Sequence, residues 1–413
     1  MKNRLKQLVK LKMKGLIPFS LILFICGIFL LGPTNAFAES NVGLSGAKQQ
    51  AIAFDVKAHE VACDENQDVE ACYQLGQHYF SDFEPRQKPT KESDEKAKLS
   101  FPWYKKAVEL GHNKAQANLG LLHLFGRGLP QNIDKGLALI EKAALKGHVE
   151  AQLGLAVFYM EVEGARRDLK QSFFWSRKAA EQGDARGQTL LGLDYSRGEG
   201  VEQNYERAFY WYQKSAEQNY SEAQFNLGIA YARGEGVEQN HERAIFWYRK
   251  SAEQGYDKAQ YNLGIAYRFG KGVKQDFSKT VFWLKKAANQ GYVNAQVNLG
   301  IYYEKGQIVE QDHQESLYWY EKAAKLGAVK GQTNLGTKYA KGFGIDKDDE
   351  KAVFWFKKAA QQGFSLAQNN LGYMYEQGRG VKKSTKQAIL WYKLASAQGH
   401  KGARIRMARL LAQ

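Results

Sequence analysis

The sequence predicts an all-α fold, an α-solenoid of about nine two-helix repeats closed by a C-terminal capping helix. Three observations predict it. All eight tryptophans fall on one 36-residue ruler, at Trp103, Trp175, Trp211, Trp247, Trp283, Trp319, Trp355 and Trp391, and Leu139 holds the only missed mark. A Leu-Gly pair keeps the same period from Leu119-Gly120 to Leu371-Gly372, with Leu155-Ala156 and Met407-Ala408 filling the slot with alanine. Twelve residues after the pair stands a helix-capping type, at Asn132, Asp168, Asn204, Asn240, Asp276, Asp312, Asp348 and Ser384. A period of this size marks stacked two-helix units. It overrides the two or three globular domains that 413 residues would otherwise suggest.

The first segment reads as a leader. Residues 1–15 carry Lys2, Arg4, Lys6, Lys10, Lys12 and Lys14 and no acid, Leu16 to Leu31 is almost wholly apolar, and Ala36-Phe37-Ala38 follows. This is the pattern of a secretory signal, residues 1–38, cut after Ala38. The alternative is an uncleaved anchor, for which the apolar run is short. The expected location is periplasmic or secreted, with no stable membrane span once the signal is removed. Cys26 does not resemble a lipid-attachment cysteine, because Ile25 stands where a small residue would be needed.

A helical lead-in covers 39–69, with its helix at about 47–63. Without Cys26, two cysteines remain, Cys63 and Cys72. In an oxidising compartment they are expected to pair as a disulfide that staples the N-terminal end.

The repeats cover 70–399. Gly76 and Gly120 are 44 apart, so the first unit carries an eight-residue insertion, expected at Phe83–Glu95 around Pro85 and Pro89. Each first helix accepts an interior glycine, which costs about 1 kcal/mol relative to alanine. The predicted reason is the second helix crossing directly over that point. Gly-x-Gly pairs such as Gly198/Gly200 suit positive φ at a helix exit and a tight turn. They lack the third glycine, the Lys-Ser/Thr and the preceding strand of a phosphate loop. The capping residues start the second helix by accepting from its free amides. Glycine ends it, from Gly111 to Gly399, except at Asn219, the other residue that tolerates the left-handed cap. Residues 400–413 form the closing helix.

The formal charge is +16, of which residues 1–15 supply six, so +10 remains on 39–413. Most charges interleave in sign, as on a solvated helical surface. Attraction to anionic polymers or membranes is the alternative. No block of like charges marks a nucleic-acid tail, and no nucleic-acid partner is expected.

No catalytic set, cofactor site or metal site is expected. The eight histidines lack metal-ligand spacing, and several lie in inter-helix turns, where they read as solvated residues. The acids read as caps or exposed helix positions, and no serine sits in a nucleophile elbow.

The composite unit is Ala-Gln-x-Asn-Leu-Gly-x-x-Tyr-x-x-Gly-x-Gly-Val-x-x-Asn/Asp-x-x-x-Ala-x-x-Trp-Tyr-x-Lys-Ala-Ala-x-x-Gly. It resembles the Sel-one-like repeat family, relatives of tetratricopeptide repeats, over about 70–410. Residues 223–255 and 259–291 match almost without departure. Residues 151–183 depart most, with Ala156 for glycine and Glu161–Arg166 in place of the Gly-x-Gly turn. The resemblance implies a right-handed superhelix that binds other proteins as an adaptor, in the cell envelope or in contact with host cells. A cysteine-rich exported subgroup implies the alternative, an envelope enzyme or binder acting on β-lactam or peptidoglycan-like ligands. This chain has one cysteine pair at the position resembling that subgroup's helix-to-helix bridge and none in later repeats.

The candidate site is a second ladder. Asn118, Asn226, Asn262, Asn298, Asn334 and Asn370 each stand two residues before the glycine of the first helix. In tetratricopeptide grooves an asparagine at the equivalent place reaches the backbone of a bound peptide, and an amide offers both donor and acceptor for that task. Gly154 and Leu190 break the ladder, so a groove would run chiefly through units five to nine. The alternative is an intramolecular tie between adjacent first helices. The tryptophans, between small-residue contacts at a strict period, are expected in the core rather than at a ligand. The expected partner is a protein or peptide, and the chain is expected to be a monomer.

Overall fold

The computed structural model describes residues 54–80, 90–162 and 164–412. The signal, its cleavage site, Cys26 and most of the expected insertion lie outside them. The described residues are helical, with no strand among them, and the chain divides into two compact units, 1–220 and 221–413.

The first unit holds α1 (Val56–Asp64), α2 (Val69–Phe80), α3 (Lys91–Glu109), α4 (Asn113–Phe125), α5 (Ile133–Leu145), α6 (Val149–Glu161), α7 (Leu169–Glu181), α8 (Ala185–Arg197) and α9 (Tyr205–Glu217). The second holds α10 (Ser221–Arg233), α11 (His241–Glu253), α12 (Asp257–Phe269), α13 (Phe277–Asn289), α14 (Val293–Lys305) and α15 (His313–Lys325). It continues with α16 (Val329–Lys341), α17 (Asp349–Gln361), α18 (Ser365–Gln377), α19 (Thr385–Ala397) and the closing helix α20 (Lys401–Leu411). From α2 to α19, even-numbered helices are the first and odd-numbered the second of each repeat. In the first repeat the extra length goes partly into helix: α3 has 19 residues where later second helices have 13, and Thr90 caps it from Ser93 N–H.

The caps fall where the sequence places them. Asn204, Asp276 and Asp348 each accept at 2.9 Å from the amide three residues on. The same residue's own N–H donates back to the first helix, as from Asn204 to the Tyr195 carbonyl at 2.9 Å and from Asp276 to that of Tyr267 at 3.0 Å. One residue type thus starts one helix and ties it to the last turn of the other.

The glycine of each first helix is a contact point. A Cβ on Gly300 would lie 2.5 Å from the Tyr320 ring, and one on Gly372 would lie 2.7 Å from Tyr392. Both tyrosines are fully buried. The residue after the tryptophan therefore takes the innermost seat. Trp175 and Trp319 are also buried, while Trp103, Trp283, Trp355 and Trp391 are partly buried against the cores, in line with a structural role. The second glycine of Gly-x-Gly packs on the preceding repeat: a Cβ on Gly200 would meet the Leu169 carbonyl at 2.0 Å. Asn219 adopts φ +64°, the left-handed cap that glycine supplies elsewhere.

The third repeat departs as its sequence does. A 3-10 turn, Gly164–Arg166, replaces the Gly-x-Gly exit, and Ser176 stands where other repeats place Tyr, Phe, Leu or Ile. Ser176 Oγ bonds the buried carboxyl of Asp194 on the next first helix.

Candidate protein-binding surface

The six ladder asparagines fall into both units. Asn118 is on α4 in the first; Asn226, Asn262, Asn298, Asn334 and Asn370 occupy one register of α10, α12, α14, α16 and α18 in the second. Asn118 is buried, and its Nδ2 donates to the Tyr104 hydroxyl at 3.2 Å. The other five are partly buried.

One arrangement recurs. The tyrosine that covers a glycine of its own repeat points its hydroxyl at the asparagine of the next. Tyr104 covers Gly76 and meets Asn118; Tyr248 covers Gly228 and bonds Asn262; Tyr320 covers Gly300 and bonds Asn334. Burial pushes the Tyr248 hydroxyl up to about 12, with the Asn262 bond pulling the other way, so the phenol stays protonated at neutral pH. Where Leu284 stands in place of the tyrosine, Asn298 turns to Tyr261 at 3.3 Å instead. Where Phe356 stands there, Asn370 Oδ1 accepts from Asn369 at 3.2 Å. Asn118, Asn262, Asn298 and Asn334 thus tie repeats together, and each ladder amide can make four hydrogen bonds, of which these contacts use only part.

One turn further along the first helices stand Ile229, Ile265, Ile301, Thr337 and Tyr373, all partly exposed, and the helix ends carry Arg233, Lys305 and Lys341. Amides, aliphatic side chains and cations are therefore grouped along one register.

A third ladder escaped the sequence reading. In repeat after repeat a glutamine of the first helix is buried and bonded to a glutamine 30 residues on, at the end of the second helix. The pairs are Gln182–Gln152 at 2.7 Å, Gln218–Gln188 at 2.8 Å, Gln254–Gln224 at 2.7 Å, Gln290–Gln260 at 2.8 Å, Gln362–Gln332 at 2.9 Å and Gln398–Gln368 at 2.9 Å. Gln260 also donates to the Ala252 carbonyl at 3.1 Å, joining adjacent repeats. The signal was in the composite unit, where Ala-Gln is as regular as Leu-Gly. Leu326 breaks the series, and Gln296 Oε1 is left buried without a partner.

Two other expectations gain detail. Cys63 and Cys72 are joined by a disulfide between α1 and α2. His112, His148 and His400 are not solvated turn residues: each is a partly buried N-cap whose Nδ1 accepts from the amide three residues on, at 3.0–3.1 Å. A buried cation also appears, Lys338, paired with Glu304 at 3.3 Å.

The Sel1 repeat model matches nine consecutive segments, 69–112, 113–148, 149–184, 185–220, 221–256, 257–292, 293–327, 329–364 and 365–400. The chain is a Sel1 repeat protein. Two solved structures agree. A protective antigen present in uropathogenic Escherichia coli strains, displaying an SLR fold, is 33% identical over 86% of this chain and 82% of its own, with a TM-score of 0.59. A Sel1 repeat protein from Oxalobacter formigenes is 30% identical over 82% of this chain and 98% of its own, with a TM-score of 0.64. No curated protein matches the chain. Sel1 repeat proteins are protein-interaction scaffolds, typically non-enzymatic. Among the described residues no helix of this one is long and apolar enough to cross a membrane.

Proposed function

We propose that this Sel1 repeat protein is an exported, non-enzymatic scaffold that holds an extended segment of a protein partner along the asparagine register of residues 221–413. The observation that carries the reading is the register itself. Asn226, Asn262, Asn298, Asn334 and Asn370 repeat in one compact unit, partly exposed, with unused amide capacity beside a row of aliphatic side chains. An extended peptide presents alternating donors and acceptors, which amides can match, and apolar side chains that the isoleucines can cover.

Export rests on the first 38 residues, with their basic start, apolar run and Ala36-Phe37-Ala38. A similar protein being a protective antigen fits a chain that leaves the cytoplasm, in the envelope or at the host surface.

The test is cross-linking in intact cells followed by mass spectrometry, with Asn262, Asn298 and Asn334 replaced together by alanine. The recovered partner should drop at least about tenfold while the purified variant keeps its helical content; loss of several hydrogen bonds at an interface is enough for that. Unchanged recovery from a folded variant would remove the groove. N-terminal sequencing of the exported chain should begin at Glu39.

A further inference from the structure

The opposite pattern, on the second helices, is not used by the asparagine groove. In the second unit the residue before each tryptophan faces outward: Phe246, Phe282, Tyr318, Phe354 and Leu390 are each 46–51% exposed. In the first unit Tyr210 occupies the same register, at 50%. Single exposed apolar residues are ordinary, but a row at a fixed period on successive helices of one unit is not.

Each ring carries a cation. Lys250 lies 4.9 Å from the Phe246 centroid, Lys286 4.8 Å from Phe282, Lys322 4.6 Å from Tyr318 and Lys358 4.7 Å from Phe354. The same ammonium groups lie 5.2–5.5 Å from the neighbouring tryptophan rings. The tryptophans meet the outer rings edge-on at about 5 Å, which fixes their orientation. At the last repeat Leu390 and Leu394 replace the ring and the lysine and are both exposed. Arg249, Lys357 and Lys393 add charge on the same helices, and α13 and α19 carry lysines and no acid.

The chemistry selects the occupant. Three of the four rings are phenylalanines, which carry no hydroxyl of their own to fix a sugar's hydroxyls. A lysine laid across a ring can keep its ammonium in water while the ring enters an apolar boundary. Aromatic rings interleaved with lysines at one level match the headgroup region of a bilayer, and the positive charge matches anionic lipid.

We propose that the outward face of α11, α13, α15, α17 and α19 docks on an anionic lipid surface. The rings of Phe246, Phe282, Tyr318 and Phe354, with Leu390, enter the headgroup boundary. Lys250, Lys286, Lys322 and Lys358 meet lipid phosphates. The protein then lies on the membrane without spanning it, and its asparagine register remains on other helices.

Vesicle sedimentation of the purified exported chain, beginning at Glu39, tests this, using phosphatidylcholine vesicles with and without about 30 mol% phosphatidylglycerol. The basic and apolar stretch of residues 1–38 is then absent and does not contribute to binding. The wild type should bind anionic vesicles at least about tenfold better than neutral ones. K250Q/K286Q/K322Q/K358Q and F246S/F282S/F354S should each lower anionic partitioning at least about tenfold, with circular dichroism unchanged. Raising salt from about 0.1 to 0.5 M should release the wild type, a reading that needs no variant to fold. Equal binding by folded variants, or salt-insensitive binding, would overturn the proposal. So would retention by a soluble acidic polysaccharide with no vesicle binding, which would assign the face to a glycan.

Discussion

At the scale of the residue, the glycines of the first helices decide how closely the hairpins pack. Gly300 faces the Tyr320 ring at 2.5 Å from an added Cβ, whereas at Gly264 the nearest atom, Leu284 Cγ, is at 3.1 Å. Alanine is favoured over glycine by about 1 kcal/mol in a free helix. Overpacking a rigid buried ring costs about 1–3 kcal/mol and outweighs it. Gly300→Ala should therefore lower stability by a net 1 kcal/mol or so, and Gly264→Ala should stay within about 0.5 kcal/mol of wild type, both read by urea unfolding. Asp194 gives a pH-dependent counterpart. Burial, with the nearby Glu199 adding to it, pushes its carboxyl up to about 7 against the opposing Ser176 hydrogen bond. A group raised in the folded state contributes stability that is full below its unfolded value near 4 and is lost as pH rises toward 7. Asp194→Asn, neutral at every pH, should match wild type at pH 4 and exceed it by about 2–4 kcal/mol at pH 8. A constant difference across that range would contradict the assignment.

At the scale of the element, helix boundaries were the most legible feature. The eight predicted caps, the Gly-x-Gly exits and Asn219 each act through local backbone chemistry, which a sequence displays directly. What was not legible depends on contacts between repeats. The glutamine pairs join residues 30 apart, the Tyr–Asn ties join residues 14 apart, and no single helix reports either. The histidine caps were missed for a related reason: His148 differs from a solvated turn residue only in where its ring points. Burial lowers its affinity for protons, so the folded cap stays neutral through the ordinary histidine range while the unfolded chain takes up a proton there, and stability falls as pH drops through that range. The Tm difference between His148→Asp and wild type should grow from pH 7.5 to pH 5.5 in favour of the variant, as Asp184 caps the next first helix with a carboxylate. The glutamine ladder makes its own prediction. Leu326→Gln supplies the partner that Gln296 Oε1 lacks and should raise stability by about 0.5–1.5 kcal/mol, whereas Gln290→Leu should lower it by about 1–3 kcal/mol by orphaning Gln260. A Leu326→Gln variant no more stable than wild type would contradict the role given to the ladder.

At the scale of the whole molecule, nine matched repeats make the chain a Sel1 repeat protein, and a disulfide joins α1 to α2, the first helix of the first repeat. In a stack, each repeat contacts mainly its neighbours, so end fraying is limited by end devices. Reduction should lower the unfolding midpoint, with protection lost first in α1 and α2 by hydrogen exchange. The architecture was readable because one period governs caps, glycines and tryptophans together. The candidate site was readable only as a register: Asn262 and Asn334 look alike in sequence, and it is the tyrosine of the preceding repeat that shows they also have structural work. The central claim is that this register faces a protein partner, and a photo-cross-linking side chain at position 298 tests it most directly. In intact cells, irradiation should yield a discrete adduct with another protein from position 298 and none from position 361, an exposed site at the end of α17. Adducts from position 361 and none from 298 would contradict it.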